Sequence, residues 1–160
     1  MRKRSKYRPK PQLPDPVTWV LSGLKPMTSI PYSQTLRIRN HDAMDKLRRG
    51  IATKEDMDTL IGAFNMTEGY KRLRDELGAD WSEEIRAGQD ALLAVARRGL
   101  ESQRFILKAE ELTAMNLVME IHDAQLDQTT VRDMEMAMDI IDKDHKTKKS
   151  RPIKVTGATQ

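Results

Sequence analysis

The clearest hydrophobic pattern lies in the second half of the chain, where apolar residues recur every three or four positions. One such stripe runs through residues 112–126 and a second through residues 131–141. This spacing places apolar side chains on one face of an α-helix. A short polar turn with Thr129 and Thr130 separates the stripes, and Asp133 stands three residues after Thr130, as in a helix capping box. The two segments therefore predict an antiparallel helical hairpin near the C-terminus.

Shorter stripes with their own start signals predict further helices upstream. Asp15 followed by Pro16 indicates an N-cap and a first helical position. Asn40, Thr53 and Asp80 are further candidate caps, each followed by apolar residues at helical spacing. The predicted fold class is therefore all-α, a compact bundle of about five helices that includes the C-terminal hairpin.

Three stretches in this upstream part interrupt the helical pattern. Residues 25–35 are predicted to form a loop, and residues 36–39 alternate apolar and basic, which predicts a short extended segment. After Thr53 the apolar stripe rotates partway along the segment. That rotation predicts either a bend near residues 65–69 or a helix that packs against two neighbours in turn.

Charge divides the chain into three parts. Residues 1–12 carry six cations and no acid, residues 143–154 carry six cations and one acid, and the residues between them carry 16 cations against 23 acids. The formal net charge of +4 and the pI near 9.4 thus describe two basic ends on an acidic body. We expect a basic disordered arm (1–14), a helical domain (15–142) and a basic C-terminal tail (143–160).

The basic ends predict contact with a polyanion. Flexible cationic segments can follow a phosphate backbone and release counterions at each contact, and Tyr7 could stack on a base. The simpler interpretation, a solvated tail, stays open. Arg37, Arg39, Arg48 and Arg49 could extend the basic patch onto the body. We expect weakly sequence-specific binding of nucleic acid, because these side chains contact phosphates rather than bases. DNA is favoured as the target, and RNA stays open as the alternative. The residues expected to contact the nucleic acid are Arg2, Lys3, Arg4, Lys6, Tyr7, Arg8, Lys10, Lys146, Lys148, Lys149 and Arg151.

The predicted hairpin is strongly acidic and carries an alternative hypothesis. Residues 110–142 hold nine acids and a single cation, Arg132. This charge could bind a basic host protein and inhibit it, whereas the simpler interpretation is a solvated helix face. Met138 and three other methionines lie on the apolar stripes and are expected in the core, while Met136 lies off them and is expected to be exposed. The expected contacts of this alternative are Glu120, Asp123, Asp127, Glu135 and Met136.

A third hypothesis is an assembly subunit, a homo-oligomer in which the hairpin stripe packs between chains.

The sequence contains little that indicates an active site. Two His-Asp-Ala tripeptides, at His41 and His122, resemble the His-Asp doublet of metal-dependent phosphohydrolases, but those sites need an additional histidine and aspartate in a defined order, and only His145 is left. His122 lies on an apolar stripe, where a hydrogen-bonded core histidine is expected. The chain has no cysteine, which excludes disulfides, cysteine-ligated zinc and thiol catalysis. No serine-nucleophile or glycine-rich phosphate motif occurs either. We expect no enzyme activity, no cofactor and no metal.

Membrane insertion and secretion are not expected. No apolar run approaches the roughly 20 residues that a membrane span needs. The first apolar stretch, residues 17–24, is interrupted by polar residues and glycine and is not followed by a small-residue cleavage site. We therefore expect a cytoplasmic protein.

Four stretches of the chain together resemble a family of small uncharacterised proteins encoded by tailed bacteriophages and prophages of proteobacteria. They are VTWVLSGLKP (17–26), LRIRNHDAM (36–44), EIRAGQDALLAVARRG (84–99) and LTAMNLVMEIHDAQLD (112–127). None of these strings is a functional motif, so no active site is implied. The resemblance implies an accessory protein of the bacterial cytoplasm that handles DNA or disables a host protein.

Overall fold

The computed structural model describes residues 15–147, which form a bundle of six α-helices. The helices are α1 (Pro16–Leu24), α2 (Pro31–Arg48), α3 (Lys54–Leu73), α4 (Ser82–Ser102), α5 (Ala109–Gln128) and α6 (Val131–Lys146). Short 3₁₀ turns lie at Met27–Ser29, Asp75–Leu77 and Ala79–Trp81. This range contains no β-strand, only an isolated antiparallel bridge between Pro26 and Thr130. The predicted all-α class is confirmed, and none of the helices in this range is long and apolar enough to cross a membrane.

Polar caps begin three of the helices where the sequence predicts them. The side chain of Asp15 caps α1. The Asp56 carboxylate accepts a hydrogen bond from the N–H of Thr53 (2.8 Å), and the N–H of Asp56 donates to the Thr53 hydroxyl (3.3 Å). Thr130 and Asp133 make the same reciprocal pair at the start of α6. Each capping box satisfies two backbone donors that would otherwise lack partners, and so sets the first residue of the helix.

α2 is longer than the sequence predicts. Residues 25–35 were expected as a loop and residues 36–39 as an extended segment, with a helix start at Asn40, but α2 begins at Pro31. The side of α2 that faces the core includes polar residues, because Ser33 and Asn40 are buried there. The apolar residues of this segment therefore do not recur at regular helical spacing. A proline is accommodated at the first position since its missing N–H would have no helical partner.

Two apolar clusters form the core, and α3 contributes to both. The larger cluster lies among α2, α3, α4 and α5 and includes Leu47, Leu60 and Val95. The smaller cluster is built around Tyr70 of α3 and Ala137 of α6. α3 is one continuous helix from Lys54 to Leu73, and its rotated stripe follows from packing into the two clusters in turn.

α5 and α6 are joined by a short turn, as predicted, but each packs mainly against other helices. α5 lies against α4 and α3, whereas α6 lies against α3 and α1. α3 and α6 approach closely at Gly69, where an added Cβ would lie 3.2 Å from the Cβ of Ala137. This close approach turns Ala137 inward and leaves Met138 52% exposed, so the prediction that Met138 fills the core is wrong. Met136 is exposed, as predicted.

Candidate functional site

Most of the predicted nucleic-acid contacts lie outside the described residues. The structure describes the chain from Asp15 to Thr147, so Lys146 is the one predicted contact within it. Lys146 is exposed in the last turn of α6, which also carries Lys143 and His145. Cations at this position oppose the partial negative charge of the helix C-terminus. All 24 acids and 18 of the 28 cations belong to the described range, which leaves ten cations in acid-free segments.

The two basic segments are joined to helices that contact each other. Asp15 precedes α1 and Thr147 follows α6. The guanidinium of Arg132 on α6 donates to the carbonyl oxygen of Trp19 (Nε, 3.1 Å) and to that of Val20 (Nη2, 3.2 Å). The same guanidinium lies 4.7 Å from the ring centroid of Trp19, a cation–π contact. Arg132, the single cation of the acidic segment, therefore attaches α1 to the bundle.

Backbone hydrogen bonds hold the turn after α1 to the turn before α6. The N–H of Met27 donates to the carbonyl oxygen of Thr129 (2.9 Å), and the N–H of Val131 donates to that of Lys25 (3.0 Å). These two bonds make the isolated bridge described above. The C-terminal end of α1 is consequently anchored at the N-terminal end of α6.

The four arginines considered as an extension of the basic patch all lie on α2 or directly after it, in different environments. Arg37 and Arg49 form ion pairs with acids of the bundle. Arg39 and Arg48 are exposed and form no ion pair among residues 15–147. Only part of the predicted extension is therefore available to a phosphate backbone.

The two His-Asp-Ala tripeptides meet where α2 faces α5. The Nε2 atom of His41 lies 2.7 Å from Oδ2 of Asp123. One turn earlier on α2, Arg37 donates to the carbonyl oxygen of Asp123 (3.1 Å) and to Oδ1 of Asp127 (2.5 Å). We refer to Arg37, His41, Asp123 and Asp127 as the α2–α5 polar cluster. Arg37 therefore neutralises part of the acidic charge of α5.

His122, the histidine of the second tripeptide, lies in the interior, as predicted. Its Nδ1 atom is 3.2 Å from the hydroxyl oxygen of Thr67, and its side chain is buried. Burial lowers the pKa of His122 to about 4; the charge of Asp123 opposes this shift, while Arg37 and His41 reinforce it. The imidazole is therefore neutral at pH 7 and acts as a core hydrogen-bonding group.

The polar cluster does not extend to a metal site. Nowhere in the described part of the chain are three or more histidine or acidic side chains grouped so that they could hold a metal ion. The third histidine, His145, instead lines a cleft of about 870 Å³ between α3, α4 and the end of α6. Apolar Phe64 and Leu92 line this cleft together with an ion pair between Arg72 and Asp144.

Other acids of the predicted hairpin are also engaged by neighbouring segments. The guanidinium of Arg98 on α4 donates two hydrogen bonds, of 2.7 and 2.6 Å, to the two carboxylate oxygens of Glu111 on α5. These bonds lower the pKa of the Glu111 carboxyl, and burial partly opposes the shift. Arg74, which follows α3, lies 3.3 Å from a carboxylate oxygen of Asp133 on α6. The acidic residues therefore also join helices to their neighbours.

The five contacts expected for the protein-binding alternative separate into two groups. Asp123 and Asp127 belong to the α2–α5 polar cluster, where Asp123 contacts His41 and Asp127 forms an ion pair with Arg37. Glu120, Glu135 and Met136 are exposed, and the two glutamates form no ion pair with any described residue. A partner could therefore reach these three without disrupting the bundle.

One exposed surface was missed by the sequence analysis. α1 buries no residue, and Trp19, Ser22 and Gly23 are half-buried on the side that faces α6. The aliphatic residues of the opposite side are 54–73% exposed; they are Val17, Val20, Leu21 and Leu24. We refer to these four residues as the α1 stripe. The one signal for it in the sequence was that this nine-residue helix contains no charged residue.

Comparison with known proteins assigns no family. No protein-family model, no curated protein and no solved structure matches the chain. The resemblance to phage-encoded proteins stays a prediction. No matched protein therefore supplies a function for this chain.

Proposed function

We propose that the chain is a non-enzymatic accessory protein that binds nucleic acid through its basic terminal segments with little sequence specificity. The charge distribution carries this proposal. Residues 1–14 and 148–160 contain ten cations and no acid, whereas residues 15–147 contain all 24 acids. A phosphate backbone suits such segments because each contact releases condensed counterions. DNA is the expected target given the phage-type resemblance.

Ion pairs within the bundle support this assignment. Several body cations are engaged by body acids, across helices or within one helix; they are Arg37, Lys46, Arg49, Lys71, Arg72, Arg74 and Arg98. The body as a whole carries six more acids than cations and would repel DNA. Surplus positive charge is therefore concentrated in the two terminal segments.

The attachment of these segments is compatible with a shared target. One precedes α1 and the other follows α6, and these two helices are in contact. Once the first segment has bound a polyanion, the second is held at a high effective concentration near it. We therefore expect the two segments together to bind more tightly than either one alone.

Fluorescence anisotropy with a labelled DNA duplex tests the proposal. The cations of residues 1–14, those of residues 148–160, or both sets are replaced by glutamine, which keeps chain length and removes charge. Replacing either set should weaken binding, and replacing both should abolish it at moderate salt. The slope of log affinity against log salt should become shallower by about 0.9 for each phosphate that the variant no longer neutralises.

A matched control neutralises two exposed arginines outside the considered patch, Arg97→Gln on α4 and Arg104→Gln after it, and should change affinity little. Full binding by the doubly neutralised chain would refute the proposal. A parallel titration with RNA of the same length tests the expected preference for DNA.

The alternative function is an interaction protein or inhibitor that uses the acidic segment to bind a basic host factor. Glu120 on α5, and Glu135 followed by Met136 on α6, favour it because all three are exposed and the two glutamates form no ion pair with any described residue. Reversal of both glutamates to lysine should abolish capture of such a factor in a nuclease-treated pull-down and leave the helical circular dichroism unchanged. Reversal at Asp123 or Asp127 is less informative, because it would also break the α2–α5 polar cluster.

A further inference from the structure

α1 packs against the bundle with its less aliphatic side. Gly23 lies directly against the guanidinium of Arg132, so an added side chain there would collide with it. The α1 stripe faces away from this contact and is 54–73% exposed. A surface helix normally buries its aliphatic face, and a contiguous exposed apolar surface marks an interaction site. The orientation of α1 is thus the reverse of what an isolated bundle would favour.

The stripe is symmetric along the chain. Its members stand at positions 17, 20, 21 and 24, so the intervals of three, one and three residues are the same in both directions. A twofold interface requires a surface that is complementary to itself. In an antiparallel pair of α1 helices centred between Val20 and Leu21, Val17 lies opposite the partner's Leu24, and Val20 lies opposite the partner's Leu21.

The flanking charges favour the same antiparallel arrangement. α1 contains no charged residue, but Asp15 precedes it and Lys25 follows it. An antiparallel pair places Asp15 near the partner's Lys25, so opposite charges meet at both ends. A parallel pair would instead bring like charges together, Asp15 beside the partner's Asp15 and Lys25 beside the partner's Lys25. The antiparallel pair keeps the two Asp15 residues apart by about 13 Å, the length of a nine-residue helix.

We propose that the α1 stripe is a self-association surface, on which a second copy of this chain packs its own α1 antiparallel about a twofold axis. The contact is smaller than a standard interface, and we expect a weak dimer with a dissociation constant on the order of micromolar. This inference does not depend on nucleic-acid binding, because it concerns protein freed of nucleic acid.

Sedimentation velocity on nuclease-treated protein over a wide concentration range tests the association. The natural chain should shift from monomer to dimer as concentration rises. Leu21→Asp places a charge at the centre of the contact and should weaken the dimer by about tenfold or more. Ile106→Asp is the matched control: Ile106 is 51% exposed and lies outside α1, so dimerisation should not change. Circular dichroism checks that both variants fold.

Two results would overturn the proposal. One is a monomer at every concentration, which would leave the stripe to another macromolecule or to residues 148–160 of the same chain. The other is a dimer that Leu21→Asp leaves intact, which would place the contact elsewhere.

Cysteine cross-linking tests the orientation, and the absence of natural cysteines makes single substitutions unambiguous. With a short bis-maleimide, Leu21→Cys should form a covalent dimer. A mixture of Val17→Cys and Leu24→Cys chains should also cross-link, whereas Val17→Cys alone should react no more than Ile106→Cys. Efficient cross-linking of Val17→Cys alone would indicate a parallel pair and contradict the proposed symmetry.

Discussion

The imidazole of His41 lies 2.7 Å from the carboxylate of Asp123, so the two His-Asp-Ala tripeptides meet although they are about 80 residues apart in the chain. Their histidines have opposite environments. The side chain of His41 is 54% exposed, whereas His122 is buried beside Thr67. Identical tripeptides therefore have different structural roles in one molecule.

Replacing each of these histidines by alanine should separate the two roles. His41→Ala removes a largely exposed pair and should lower the free energy of unfolding by less than about 1 kcal/mol. His122→Ala removes a buried ring and its hydrogen bond to Thr67, which should cost about 2–4 kcal/mol. Urea denaturation at pH 7 measures both changes. Equal losses would show that the environments described here are wrong.

His122 should also make stability depend on pH. Its pKa is about 4 in the folded chain against 6.5 for an unperturbed histidine, so between these values the unfolded chain binds a proton that the folded chain does not. The free energy of unfolding should therefore fall as pH decreases from 6.5 to 4, by roughly 2–4 kcal/mol.

Denaturation at several pH values checks this dependence. His122→Gln should lose most of the change between pH 6.5 and 5, whereas His41→Ala should keep it. Glu111 titrates in a separate window: its carboxyl has a lowered pKa, so its contribution is lost only below the ordinary value near 4.5. An unchanged pH profile in His122→Gln would contradict the assignment.

The sequence predicts helix starts well where a polar side chain reports them locally. Asp15, Thr53 and Thr130 cap helices as expected, because a cap depends on residues three positions away. The predicted caps Asn40 and Asp80 are wrong: Asn40 lies within α2, and α4 begins at Ser82 after Trp81.

Packing partners are harder to predict. Met138 lies on a regular stripe yet is exposed, since the close approach of α6 to Gly69 selects the smaller Ala137 for the interface. The sequence of α6 alone does not indicate that contact, because the contact depends on Gly69 of α3.

Two glycines should respond in opposite ways to substitution by alanine. Gly88 on α4 packs against α5, and an added Cβ would overlap Cγ2 of Val118 and lie 3.1 Å from the carbonyl oxygen of Ala114. Gly88→Ala should therefore destabilise the fold by about 1–3 kcal/mol. Gly62 on α3 is exposed and has open space around it, so Gly62→Ala should stabilise by roughly 0.5–1 kcal/mol through helix propensity. Thermal unfolding followed by circular dichroism compares the pair.

The ion pair of Arg98 and Glu111 should contribute more to stability than a fully exposed pair. Arg98 binds both carboxylate oxygens and also donates to the carbonyl oxygen of Ile106 (2.8 Å), which holds the loop between α4 and α5. Glu111→Gln should lower the free energy of unfolding by about 1–3 kcal/mol.

The control for this pair is Asp45→Asn, which removes the exposed contact with Arg49 and should change stability by less than about 0.5 kcal/mol. Arg98→Lys keeps the charge but cannot make the bidentate contact, so its stability should lie between that of the natural chain and that of Glu111→Gln. Denaturant midpoints with unchanged slopes would support this order. A loss for Asp45→Asn equal to that of Glu111→Gln would contradict it.

The sequence predicted the helices better than it predicted the candidate sites. The basic terminal segments can be recognised from the sequence because their cations lie close together along the chain. The pairing of Asp123 and Asp127 with α2 joins residues far apart in sequence, so their acidity alone suggested a free surface. The outward direction of the α1 stripe was equally hidden, because it depends on which side of α1 the guanidinium of Arg132 occupies.

The bridge between Pro26 and Thr130 also bears on the order of folding events. It closes a loop of about 100 residues; Met27 beside the bridge is buried, but α1 itself adds no buried residue to offset the entropy lost when it docks. Docking of α1 should therefore be a late step in refolding, and its release an early step in unfolding. Trp19 lies on α1 and Trp81 directly precedes α4, so the two tryptophans are natural fluorescent reporters for the two parts of the molecule.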